Sequence, residues 1–345
     1  PYSNIFRLTA VIDDLGQRID VAYISNSCNP RPAGWASNTT DCYPRWEFGG
    51  SIWGWGIYRR YVVDSVAVRD MVTNPNAASG NGVAPIVTYD YSYSGPGWHS
   101  DARNWWNDPG TIGYSFGEFH GYSTVVVTKG TGATKTTTWQ NFYRGMNGNL
   151  NSSGVPQTVT MGRFWTPAAG ADGAPATVYD EPWLQGQVWE SYQWDTGWNF
   201  LSGTRSYSTW TTAQSGVTPR YSAMSPGVIR KWRITLQQTR LREGPSASPI
   251  WHDTRVDTVF DGYGRQTSST TTGFADVAGD ESCAQTWYIN GSAPPTSTAS
   301  PGWLNVVAQT AAYDRLGGQT TDCLATGGVP VKMSKVFYGT NTGTA

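Results

Sequence analysis

The sequence predicts an all-β fold of many antiparallel strands joined by hairpins. Three observations lead there. Apolar residues recur with a period of two over short runs bounded by Gly, Pro and Asn, the signature of strands with two unlike faces. No run carries a convincing 3.6-residue apolar period of an amphipathic helix. Aromatic residues are 14% of the 345 residues, as many as the charged ones, beside 40 Gly and 20 Pro. That balance suits wide β surfaces covered by cross-strand aromatic pairs and interrupted by turns.

Taken in order, Ile19, Val21 and Tyr23 share one face of an early strand. Tyr61, Val63, Ser65 and Ala67 then alternate with Val62, Asp64, Val66 and Val68. Residues 123–128 and 134–142 read as two strands around the Gly-rich turn Lys129-Gly130-Thr131-Gly132. Trp232, Ile234 and Leu236 oppose Lys231, Arg233 and Thr235. Val256, Thr258 and Phe260 alternate with Asp257 and Val259 in a short strand that ends before Asp261.

Composition excludes several classes. The 24 Lys+Arg against 25 Asp+Glu leave a net charge of -1, so no cationic excess exists to neutralise nucleic-acid phosphates. Few charges and many aromatics argue against disorder. No stretch approaches the roughly 18 consecutive apolar residues of a membrane helix, and no membrane span is expected. Pro1 is not an initiator Met and no signal-peptide pattern follows it, so a processed product or an internal piece of a longer protein is expected.

The four cysteines fall into two distant pairs, Cys28 with Cys42 and Cys283 with Cys323. Of the three pairings that four cysteines allow, this one closes the shortest loops. Closing a loop of about 15 residues contributes about 3 kcal/mol in the chain-entropy model, and disulfides imply an oxidising, extracellular compartment. Four free buried thiols are the alternative. No C-x-x-C occurs, and only His99, His120 and His252 could complete a metal site. No metal and no cofactor are therefore expected.

One short signature occurs three times. Ile12-Asp13-Asp14-Leu15-Gly16, Phe260-Asp261-Gly262-Tyr263-Gly264 and Tyr313-Asp314-Arg315-Leu316-Gly317 are each apolar, then Asp-x-x-Gly, then a polar β-prone run. In a hairpin turn the Asp side chain accepts from backbone N–H groups ahead of it, and the Gly supplies a positive φ. This unit resembles the YD repeat of Rhs proteins, which are related to teneurins. Further segments are similar to the irregular region before the repeats in large secreted actinobacterial Rhs-like proteins. These are Asp41-Cys42-Tyr43-Pro44-Arg45-Trp46, Tyr61-Val62-Val63-Asp64-Ser65-Val66, Tyr89-Asp90-Tyr91, Gly97-Trp98-His99, Phe119-His120-Gly121-Tyr122 and Tyr143-Arg144-Gly145-Met146-Asn147-Gly148. Those proteins usually carry Arg at the position of His120 and Asp at that of Asn147. The likeness covers most of the chain and is looser over residues 151–251.

The resemblance implies a spiralling sheet that forms part of a hollow shell enclosing a C-terminal polypeptide, commonly a toxin. Residues 1–345 would be one Rhs-like segment, with an irregular pre-repeat region at 1–150 and a degenerate repeat region at 151–345. Its partners would be other shell segments or the enclosed polypeptide, and its place extracellular. The Asp-rich autocleavage motif of some members is not found, so a structural segment rather than an enzyme is expected.

Other residue groups offer chemistry that competes with plain packing. Gly113-Tyr114-Ser115-Phe116-Gly117 matches the hydrolase nucleophile elbow, with Glu118 and His120 nearby, but no helix pattern follows. The neighbouring carboxylates Asp180-Glu181 and Asp280-Glu281 would point to opposite strand faces; a distant couple such as Glu47 with Glu118 remains open. Trp53, Trp55, Trp105 and Trp106 are candidate stacking platforms for cell-surface or cell-wall glycans, against the competing account that aromatics cover a β wall. An extracellular fibre or surface assembly is a further alternative. Arg230, Lys231, Arg233, Arg240 and Arg242 form a basic cluster read as a solvated strand face. Asp13, Asp14 and Asp20 lack EF-hand spacing. Asn38, Asn151 and Asn290 open glycosylation sequons.

Overall fold

The computed structural model describes residues 7–25, 28, 38–49, 52–70, 87–100, 116–130, 132–151, 153–167, 173–217, 227–261, 264–277, 279–288, 307–315 and 331–335. The chain is all-β, as the alternating pattern predicts, and its paired strands are antiparallel. In chain order the first eight strands are β1 (Ala10–Ile12), β2 (Gln17–Tyr23), β3 (Cys42–Gly49), β4 (Ile52–Arg59), β5 (Val63–Asp70), β6 (Val87–His99), β7 (Glu118–Lys129) and β8 (Thr136–Phe142). They are followed by β9 (Val188–Trp194), β10 (Phe200–Val217), β11 (Gly227–Glu243), β12 (Ile250–Phe260), β13 (Gln266–Thr271), β14 (Glu281–Tyr288), β15 (Val307–Arg315) and β16 (Lys332–Lys335). Short 3-10 turns at Gly132–Thr134 and Pro182–Leu184 are the helical elements among the described residues.

Two compact units emerge. The first is Pro1–Gly162 with Thr177–Leu201; the second is Arg163–Ala176 with Ser202–Ala345. In the first, strands pair in the order β1-β2-β5-β6-β7-β8-β9, while β3 and β4 form a separate ribbon. The second runs β10-β11-β12-β13-β14-β15-β16. Nearly every strand therefore pairs with its neighbours in sequence, the meander that short hairpin turns produce. Pro44 sits in the two-stranded ribbon, where a missing N–H is tolerated.

The expected alternation is present in sequence but not as a clean split of buried and exposed faces. β5, between β2 and β6, is half-buried along nearly its whole length. The interior is correspondingly polar. The largest fully buried side chains are Trp189, Arg205, Tyr143, Tyr192, Leu184, Gln238, Glu190, Thr270 and Asp180. In the first unit Trp189 stands edge-on to Tyr143 at 5.5 Å and donates its indole N–H to the Gly162 carbonyl at 2.7 Å. The Tyr192 hydroxyl donates to Glu190.

In the second unit Arg205 of β10 lies opposite Gln238 of β11. Its guanidinium donates to the Trp165 carbonyl at 2.6 Å and to Gln238 Oε1 at 3.2 Å, and it covers the Trp165 ring at 4.5 Å. Arg240 covers the same ring at 5.1 Å and forks onto Asp253 with two 2.7 Å bonds. Buried charges need compensating partners: Arg205 has carbonyl and amide acceptors and an aromatic face, and Arg240 has a carboxylate. The basic cluster is thus not the solvated face expected from sequence: Arg240 is spent on Asp253, and Arg233 donates to the Gly264 carbonyl at 2.9 Å. The side chains of Arg230 and Lys231 lie outside the description.

His252 of β12 is clamped between carboxylates, with Nε2 2.7 Å from Glu243 and Nδ1 3.0 Å from Asp276. The Glu243 bond first, and the Asp276 bond second, hold its pKa above the usual 6.5. A His with a raised folded pKa stabilises fully below its unfolded value, and the stabilisation is lost as pH rises through the folded value. The urea midpoint of the wild type should therefore fall, relative to His252→Gln, as pH is raised from 6.5 through the folded pKa. Parallel pH profiles of the two proteins would contradict this clamp.

Candidate functional site

Two of the three Asp-x-x-Gly signatures fall on described turns, and both build the same loop. In the first, Asp13 N–H donates to the Gln17 carbonyl at 3.0 Å and Gly16 N–H to the Asp13 carbonyl at 3.3 Å. The Asp13 carboxylate accepts from Leu15 N–H at 3.0 Å and Gln17 N–H at 2.7 Å. Gly16 has φ 83°. These bonds and the left-handed Gly16 match the three-residue hairpin loop, with the carboxylate standing in for missing backbone acceptors. At Asp261 the backbone bonds repeat at 2.9 and 2.8 Å, Arg265 N–H donates to Oδ1 at 3.0 Å, and Gly264 has φ 73°. Here Asp261, Gly264 and Arg265 are buried, and Arg265 Nε adds a 2.7 Å bond to Oδ2 while the guanidinium covers Tyr288 at 4.1 Å.

The structure contains the same loop twice more, at places the sequence pattern passes over. Asn151 accepts from Ser153 and Val155 N–H at 2.9 and 3.0 Å, with Gly154 at φ 75°. Asp195 accepts from Gly197 and Asn199 N–H, both at 2.9 Å, and the left-handed position belongs to Trp198 at φ 60°. The turn at Asp13 joins β1 to β2, that at Asp195 joins β9 to β10, and that at Asp261 joins β12 to β13. The Asn151 turn closes the isolated Leu150–Pro156 bridge. Each turn residue follows an apolar one: Ile12, Leu150, Trp194 and Phe260. Asp314 differs in place: it lies within β15, opposite Ser282, with Arg315 still paired after it, and its side chain and Gly317 lie outside the described residues.

Cys28 and Cys42 form a disulfide with Cα atoms 5.7 Å apart. Cys283 is also disulfide-bonded and packs with Ala311, Tyr313 and Trp287; Cys323 lies outside the described residues. Beside the first bond, Asn38 is buried, its amide donating to the Cys42 carbonyl and its Oδ1 accepting from Thr40. That sequon is occupied by a structural contact. Tyr122 donates its hydroxyl to Asp41, and burial together with this carboxylate raises its pKa.

Asp20 is paired with Arg18 at 2.7 Å and Arg69 at 2.8 Å rather than grouped with Asp13 and Asp14. Burial would raise its pKa, but the two arginines outweigh that and lower it. Asp180 is fully buried and accepts from Arg144 and Gly145 N–H at 2.7 and 2.8 Å, a structural clamp. Asp280 and Glu281 accept from Phe274 and Gly279 N–H. The glycan candidates are not placed: Trp105 and Trp106 lie outside the described residues, as do the side chains of Trp53 and Trp55. Ser115 also lies outside, as do Asn290 and the side chain of Glu47.

A cluster that sequence reasoning did not assemble joins His99, Glu118 and His120, whose ligand-type atoms all lie within 4.8 Å of one another. Glu118 Oε2 is 3.9 Å from His99 Nδ1 and Oε1 is 3.7 Å from His120 Nε2. The imidazoles stack at 4.7 Å with an 8° interplanar angle.

No family model and no curated protein matches the sequence. Among solved structures, TcdB2-TccC3 is similar to 87% of this chain with a TM-score of 0.45 and 11% identity. The chain spans 15% of that chain's length.

Two substitutions test the turn in opposite directions. Asp261→Ala strands the buried Arg265 and should cost about 3 kcal/mol or more. Trp198→Gly removes an L side chain from the left-handed region and should gain about 1 kcal/mol, because the 62% exposed indole contributes little burial. Urea denaturation of both variants measures this; a neutral Asp261→Ala would refute the turn's structural weight.

Proposed function

We propose that this chain is a non-catalytic structural segment of a secreted, Rhs-like β shell that encapsulates, displays or delivers an associated polypeptide. The observation that carries the proposal is the Asx-clamped hairpin turn recurring at Asp13, Asn151, Asp195 and Asp261. It is the chemistry of the repeat unit that the sequence resembles, and it occurs at more places than the sequence pattern alone marks.

Two further features support the reading. Consecutive strands pair with one another within each unit, so the chain extends a sheet strand by strand rather than folding one sheet onto another. The disulfide at Cys28–Cys42 suits an oxidising, extracellular setting. A sheet that curves into a closed wall removes the exposed edges that invite aggregation, and it isolates a cargo from solvent. Partners would then be neighbouring segments of the wall and the enclosed chain.

Cryo-electron microscopy of the secreted protein tests this directly. The expected result is a curved sheet bordering a chamber with polypeptide density inside. A filled β-sandwich, with two sheets packed face to face, would overturn the proposal.

A further inference from the structure

We propose that His99, Glu118 and His120 form a binding site for one divalent transition-metal ion, Zn2+ foremost, that staples the end of β6 to the start of β7. His99 and Glu118 are direct cross-strand partners, the last residue of β6 and the first of β7. Partners in antiparallel strands present their side chains on the same face. His120 lies two residues beyond Glu118, so regular pairing would set it above Gly97. Instead the ladder passes from Gly97↔Gly121 to Trp98↔Phe119, leaving His120 as the extra residue of a β-bulge. Bulges re-aim side chains, and this one brings His120 into a stack with His99.

The ring of His120 is oriented as a metal ligand requires. Its Nδ1 lies 2.9 Å from the Arg144 carbonyl. A carbonyl only accepts, so Nδ1 carries the proton and Nε2, on the Glu118 side, presents the lone pair. A ligating His whose other nitrogen donates to a backbone carbonyl is the usual arrangement around a protein-bound metal. That carbonyl is fixed in turn. The buried Asp180 accepts from Arg144 N–H and Gly145 N–H, and it faces Arg144 Nε at 3.8 Å. The guanidinium also donates to the Gly95 carbonyl at 3.0 Å, so its charge is engaged there.

The other strand end is held as firmly. Asn149 accepts from Ser100 N–H and hydroxyl, both at 3.0 Å, and donates to the Trp98 carbonyl at 3.3 Å. His99 sits between these two anchored residues. Support of this kind fixes ligands before the ion arrives.

The donor set decides the ion. Two imidazoles and one carboxylate suit Zn2+ and disfavour the oxygen-seeking Mg2+ and Ca2+. Zinc bonds of about 2.0–2.1 Å place tetrahedral ligands about 3.3 Å apart. The Glu118 contacts are 3.7 and 3.9 Å and all three ligand atoms lie within 4.8 Å, so binding requires side-chain rotation that draws them together and turns the near-parallel imidazoles toward the ion. Side-chain exposures of 31% at His99 and 48% at Glu118, against 9% at His120, leave a path for the ion and a fourth position for water.

Titration calorimetry of the chelator-treated full chain with ZnCl2 tests the site, paired with chemical modification of histidines by diethylpyrocarbonate. The expected result is one equivalent of bound Zn2+, weakened at least tenfold by Glu118→Gln or His120→Ala and unchanged by His252→Ala. Zinc should protect His99 and His120 of the wild type from modification but not His252, a readout that stands even where a variant misfolds. No saturable binding up to millimolar Zn2+ would overturn the proposal. So would wild-type stoichiometry retained in a His99→Ala/His120→Ala double variant.

Discussion

The structure depends on one small interaction: an Asp or Asn side chain that accepts backbone N–H groups two and four residues ahead and so closes a hairpin. An antiparallel meander needs its chain reversed at every strand end. Each reversal strands polar backbone groups that must find partners. The Asx oxygen supplies one partner for two of them, and the left-handed residue at the fourth position returns the chain in register. Because the side-chain period of a strand is two, a slip of one residue would turn a whole strand inside out. The turns at Asp13 and Asp261 therefore fix more than their own loops; they fix which residues of β2 and β13 meet β1 and β12.

With register fixed, polar side chains are safely buried. Arg205 meets Gln238, and Arg240 stays close enough to Asp253 for two bonds, because they are paired positions on adjacent strands. Trp165 lies under both guanidinium groups. The aromatic abundance is thus partly used to cover cations, which desolvated aromatic faces attract. A sheet of this kind draws its order from specific pairs as much as from an apolar core.

Much of this was legible in the sequence. Alternation located β2, β5, β7, β8, β11 and β12, and Asp-x-x-Gly located the turns at Asp13 and Asp261. The turn at Asn151 escaped because Asn replaces Asp, although N-x-x-G would have marked it. The turn at Asp195 escaped for a stronger reason: Trp198 holds the left-handed position that sequence rules reserve for Gly. The His99–Glu118–His120 cluster was beyond sequence reasoning. Its members meet only through the β6–β7 register and a bulge whose position no local pattern announces. The partners of Arg240 and Arg233 were hidden likewise, because charge runs reveal sign but not the strand opposite.

Amide hydrogen exchange, resolved residue by residue, tests the central claim most directly. The N–H groups of Gln17, Val155, Asn199 and Arg265 all donate to an Asx side chain. They should exchange as slowly as the ladder amides of the strands that flank them. Exchange at the rate of an unstructured loop, at all four positions, would show that the side-chain clamp does not hold the turns.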